Sequence, residues 1–125
     1  MERNLEAIKE ALYLRRVVEW DENKLVLDNG QVVSIICSEQ DCCAWAGGSF
    51  DKVKLDAVIT DVEFEVLRDS EHDGDTYVSE GSIKLFHNRN EIAQGLVYAD
   101  AGNGGYYYSV AAIQIGLDSF DVLDA

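Results

Sequence analysis

Apolar residues recur along this chain with two different periods. Leu5, Ile8 and Leu12 fall at helical spacing behind Asn4, whose side-chain oxygen suits a helix N-terminus, so residues 4–12 predict a short amphipathic helix. From Arg16 the period shortens to two, as expected of strands whose successive side chains point to opposite faces. Val17–Trp20 and Lys24–Asp28 read as two strands joined through Asp21-Glu22-Asn23. Asp28-Asn29-Gly30 is the strongest turn signal, because Asn-Gly tolerates the positive φ of a tight hairpin, and it should lead into a strand over Gln31–Ser38.

Further on, Val58, Thr60, Val62, Phe64 and Val66 alternate with Ile59, Asp61, Glu63, Glu65 and Leu67, predicting a half-buried strand with one apolar and one acidic face. Tyr77–Phe86 is its expected partner, and Glu91–Tyr98 and Tyr106–Ile115 supply two more strands. Residues 39–50, with Gly47 and Gly48, follow neither period and read as a structured loop anchored by Trp45 and Phe50. The stretch 116–125 reads as an acidic, frayed tail. No internal repeat or linker interrupts the pattern. The expectation is one domain over residues 1–125, mainly β (α+β), an antiparallel meander curled into a small barrel or sandwich with one short N-terminal helix.

Charge narrows the function classes. Ten Lys and Arg against twenty-four Asp and Glu leave a net charge of −14. Direct nucleic-acid binding needs clustered cations to displace counterions from phosphates, so it is excluded as an expectation; a basic protein surface or a metal cation fits this charge. No apolar run approaches the roughly 18 residues of a membrane span, and the charged N-terminal stretch does not read as a signal peptide. Three cysteines, two of them adjacent and so poorly suited to a mutual disulfide, read as reduced thiols, and the expected compartment is the cytoplasm. Zinc would need Cys37, Cys42 and Cys43 with His72 or His87, a spacing unlike the usual C-x2-C pairs, and no cofactor is expected.

Three clusters carry the chemistry. Glu63, Glu65, Asp69, Glu71, Asp73 and Asp75 form an acidic strand and turn that suits a basic partner surface, or, as a row of carboxylates imitating phosphates, a DNA-mimic role. Within it, Asp69, Glu71, Asp73, Asp75 and Glu80 follow the oxygen-ligand spacing of a calcium loop, with Gly74 at the turn, although Glu71 stands where Asp or Asn is usual and the flanks are strands where that loop has helices. The second cluster is Asn103-Gly104-Gly105-Tyr106-Tyr107-Tyr108, where backbone N–H groups and rings could cradle a small nucleotide-like ligand; in a strand, Tyr106 and Tyr108 would share a face. The third is Cys42, Cys43 and Trp45, candidate ligand-binding residues together with the second cluster. A Cys-dependent enzyme would pair Cys42 or Cys43 with His72 or His87 and an orienting Asp41, but nothing in the spacing supports that, so no catalytic residue is assigned.

Asp41-Cys42-Cys43 before an aromatic-containing loop, and Asn103-Gly104 leading into Tyr106-Tyr107, resemble a family of small uncharacterised domains encoded mostly by bacteriophages and related bacteria. The likeness runs from Val17 to Ile115; Gln40 stands where the family has glycine, and Gly105 with Tyr108 alters its closing turn. The resemblance implies context and no activity: a phage-type accessory protein that inhibits a host defence or regulatory factor by binding. The expected partner is a host protein or a nucleotide-like ligand, with no membrane. A short apolar helix beside an open sheet edge leaves room for a homodimer.

Overall fold

The computed structural model describes residues 3–125. A helix α1 (Leu5–Leu12) opens the chain, with Ile8 and Leu12 as its buried face. Asn4 occupies the N-cap position, but its side chain makes no capping hydrogen bond; its carbonyl accepts the Ile8 N–H at 3.1 Å. Nine strands follow: β1 (Val17–Asp21), β2 (Lys24–Leu27), β3 (Val32–Gln40), β4 (Trp45–Asp51), β5 (Asp61–Asp73), β6 (Thr76–His87), β7 (Asn90–Asp100), β8 (Ser109–Ile115) and β9 (Asp118–Asp124).

They form two antiparallel sheets, one ordered β1-β2-β3-β8-β9 and the other β4-β7-β6-β5. Two open sheets packed face to face make a sandwich, not a closed barrel. Leu25, Val33, Ile113 and Ile115 of the first sheet meet Phe50, Ile83, Leu85 and Val97 of the second in a shared core. Helix α1 lies beside β5 and β9, each at the edge of its sheet, and Ile8 and Leu12 join the same core. Arg3 ties this corner down, its Nε donating to the Val122 carbonyl at 2.7 Å and its guanidinium lying 4.9 Å from the Phe64 ring centre.

The structure corrects four expectations. Residues 39–50 are not a loop: after a short connection, residues 45–51 form β4, paired residue for residue with β7 from Trp45↔Asp100 to Asp51↔Gln94. The tail is not frayed, since β9 pairs with β8 and buries Val122 and Leu123. The last predicted strand begins at Ser109, because Asn103–Gly105 make a short 3₁₀ turn and the three tyrosines follow it outside any strand. At the β2–β3 hairpin only Gly30 takes positive φ (+86°), while the Leu27 carbonyl accepts the Gly30 N–H at 2.9 Å. This is a three-residue loop closed by a left-handed glycine, not a two-residue Asn-Gly turn.

The chain changes sheets at one end of the sandwich twice, through residues 41–44 between β3 and β4 and through residues 101–108 between β7 and β8. The β5–β6 hairpin at Gly74-Asp75 lies at the same end, with the Asp75 carbonyl accepting the Gly104 N–H at 2.5 Å.

Candidate functional site

Register decides which side chains share the outer face of the β4-β7-β6-β5 sheet. Partners across antiparallel strands project to the same side, so Gly47↔Tyr98↔Glu80↔Arg68 is one outward row and Ser49↔Leu96↔Ser82↔Glu65 is the next. At the end of this face the Trp45 indole leans on the Tyr98 ring, centroids 4.7 Å apart and planes at 57°. A side chain at Gly47 would meet the indole at 3.2 Å, so the glycine is what lets Trp45 lie flat on the sheet. Together with Leu67, Glu80 and Leu96 these rings line a cleft of about 430 Å³. Its apolar walls are exposed, Trp45 at 51%, Leu67 at 49% and Leu96 at 43%.

Glu80 is the acidic residue that lines this cleft, and the charge of the acidic strand pair around it is partly paired. Arg68 reaches Glu80 at 3.1 Å, Asp73 at 3.3 Å and Glu71 at 3.7 Å, while Lys84 holds Glu65 at 3.4 Å and Lys9 holds Asp61 at 3.2 Å. Glu80 and Asp73 raise the Arg68 guanidinium above its ordinary value, the Glu80 hydrogen bond being the largest cause. Glu63, Asp69 and Asp75 have no cationic partner among the described residues. A continuous row of carboxylates is therefore interrupted, and the opposite corner of the same face carries Lys52, Lys54 and Lys84. The calcium set Asp69, Glu71, Asp73, Asp75 and Glu80 does not assemble: Arg68 stands among three of its members, and no group of three or more His, Cys, Asp or Glu among the described residues is placed to hold a metal ion.

The two remaining clusters, separated by about sixty positions in the sequence, meet at the crossover end. The Asp41 N–H donates to the Tyr108 carbonyl at 2.8 Å, and the nearby Cys43 side chain raises the Tyr107 phenol above its usual value. A side chain at Gly102, where φ is +78°, would run into the Cys43 carbonyl. Asp100 fastens this loop, its Oδ1 accepting the Thr76 hydroxyl at 2.6 Å and the Gly102 N–H at 2.7 Å. Both Cys42 and Cys43 are exposed, with Sγ atoms 2.8 Å apart. Tyr106 is 88% exposed and Tyr108 is exposed, with Tyr107 half-buried between them. Asn103 and Gly104 are exposed and Gly105 sits against the Tyr77 ring.

Neither histidine is hydrogen-bonded to a cysteine among the described residues: His72 packs edge-on against Tyr77 at 5.4 Å, and the His87 ring nitrogen Nδ1 is 2.8 Å from the Val58 carbonyl. Sequence reading missed Gly47, Leu67, Leu96 and Tyr98. The alternation of Leu96 and Tyr98 with Val97 and Ala99 was the available signal for their shared outward face.

No helix among the described residues is long and apolar enough to cross a membrane. No curated protein and no solved structure matches the chain. A family match spans residues 4–113, taking in α1, which the motif resemblance placed outside, and stopping before β9. The chain belongs to the family described as domain of unknown function (DUF7448).

Proposed function

We propose that this protein is a non-catalytic binding domain that docks a basic protein segment on the outer face of its β4-β7-β6-β5 sheet, placing an apolar side chain in the Trp45–Tyr98 cleft. The observation that carries this reading is the cleft itself, an exposed apolar floor bordered by Glu80, which Arg68 links to Glu71 and Asp73. Such a site joins an exposed aromatic anchor, which a partner would bury, to a charged rim, the arrangement in which a few side chains carry most of the affinity and the rim steers encounter. The net charge of −14 favours a cationic partner over any other macromolecule. The resemblance to phage-encoded accessory domains supports a host defence or regulatory protein as that partner.

The test begins with crosslinked capture from the natural host and proceeds to binding measurements with the purified partner. Affinity should fall by at least about tenfold in Trp45→Ala, the size expected for a central aromatic anchor. It should also fall steeply between roughly 50 and 500 mM salt, because exposed charges are screened over that range. A partner that binds Trp45→Ala and the triple charge reversal of Glu63, Glu65 and Asp73 as tightly as wild type would sink this reading.

A second reading, capture of a small nucleotide-like ligand, is favoured by the meeting of the Cys42-Cys43 turn with the Asn103–Tyr108 loop. Binding to the folded state alone would raise the melting temperature, and a broad nucleotide panel that shifts nothing argues against it.

A further inference from the structure

We infer that Cys42 and Cys43 form a reversible disulfide between adjacent residues, made by exchange with a low-molecular-weight disulfide of the glutathione class, and that its formation repositions the crossover turn against which Tyr107 packs. Adjacency argued against this bond in the sequence, but the fold has already done the conformational work. Residues 41–44 make a tight connection, with the Ala44 N–H donating to the Asp41 carbonyl at 3.2 Å, and this connection turns both thiols outward and brings their sulfurs to 2.8 Å. Both cysteines are exposed, so a soluble disulfide can reach them. Cys37 stands apart on β3, its thiol donating to the Glu39 carbonyl at 3.4 Å.

Neighbouring Cα atoms are fixed about 3.8 Å apart by a trans peptide, less than the roughly 4.4–6.8 Å of ordinary disulfides. A bond closed under that constraint is easily reduced, which suits a switch and not a permanent staple. The steps balance. One cysteine thiolate attacks a sulfur of oxidised glutathione, forming a mixed disulfide and expelling a glutathione thiolate. The neighbouring cysteine, deprotonated in turn, attacks the protein-side sulfur, closes the ring and expels the second. The two electrons given up by the cysteines reduce the glutathione disulfide, and the two protons leave on the two glutathione thiols. The hydrogen bond with Cys43 and the nearby Asp41 charge hold the Cys42 thiol above its ordinary value, so exchange quickens as pH rises.

The consequence travels through Cys43. Its carbonyl and the Tyr107 ring both lie against Gly102 at the start of the tyrosine loop. Oxidation draws the Cys43 side chain toward Cys42 and repositions the residue against which the loop packs.

The experiment incubates the full chain with graded ratios of oxidised to reduced glutathione, quenches with acid, alkylates, and weighs the intact protein. A monomer lighter by two hydrogens, with Cys37 as the one alkylated cysteine and with full recovery in excess reduced glutathione, is the expected result. Cys42→Ser and Cys43→Ser should each lose this species and accumulate a glutathione adduct. Tyr107→Phe should keep the disulfide while losing the change in tyrosine absorbance that accompanies oxidation in wild type. Stable glutathione adducts, intermolecular dimers, a bond involving Cys37, or three alkylated cysteines at every ratio in the wild-type chain would each overturn the inference.

Discussion

Trp45 lies across Gly47 and rests its indole on Tyr98, so one aromatic platform is built from two neighbouring strands and a missing side chain. Because the indole is half exposed, Trp45→Ala should cost little stability, about 1 kcal/mol for the lost aromatic pair, while removing the floor of the cleft. Gly47→Val acts differently: the new methyls displace the ring from the sheet without deleting it. Its signature is a red-shifted tryptophan emission, the environment becoming wetter, together with the same loss of partner binding. An emission spectrum identical to wild type would show that the indole does not depend on Gly47.

Strand β9 should be indispensable. Val122 and Leu123 are buried, and the backbone of β9 completes the ladder on β8 from Val110↔Asp124 to Ile115↔Asp118. Leu123→Ala should lower stability by about 2–5 kcal/mol, the usual range for a large side chain removed from a core. Deleting residues 117–125 should abolish cooperative unfolding altogether. Chemical denaturation measures the first, and a truncated chain that still melts cooperatively would contradict the second.

The strands with clear alternation were legible: Val62 and Phe64 against Glu63 and Glu65 announce β5, and Ile83 and Leu85 against Lys84 announce β6. Strand β4 was hidden because Gly47 and Gly48, which look like turn residues, serve there as flat ground for Trp45 and as the point where Ile35 of the facing sheet comes close. Strand β9 was hidden because its acidic residues outweigh Val122 and Leu123 in a short segment. The meeting of Cys43 with Tyr107 was not legible at all: it depends on two sheet-switching connections lying at one end, a property of topology and not of either segment.

Asp100 should govern the order of the tyrosine loop. Its Oδ1 serves both the Thr76 hydroxyl and the Gly102 N–H, and its carbonyl accepts the Ser109 hydroxyl at 2.9 Å, so it links β6, the loop and β8. Asp100→Ala strands those donors and should cost about 2–3 kcal/mol, as for hydrogen bonds to a charged acceptor. Amide exchange at Gly102 and through the tyrosine loop should accelerate more than in the core. Asp100→Asn keeps an acceptor oxygen in place and should recover most of the loss; equal damage from both variants would assign the effect to charge instead.

Two electrostatic effects oppose each other as pH falls. With a net charge of −14, protonating exposed carboxylates relieves repulsion, so stability should rise from neutral pH toward the isoelectric region near 4.2, and added salt should raise the melting temperature at pH 7. Asp61 pulls the other way. The Val62 N–H, at 2.9 Å, and the Lys9 ammonium hold its carboxyl below the usual carboxylate range. A group with a lowered folded pKa contributes stability that is present above its unfolded value and lost as pH drops through the folded one, here below about pH 4. Asp61→Asn should therefore be less stable than wild type at pH 7, and the gap should close below pH 4. A melting-temperature profile of both chains from neutral to acid pH reads this difference directly, and a gap that stays constant across that range would mean that the Asp61 carboxylate contributes nothing through its charge.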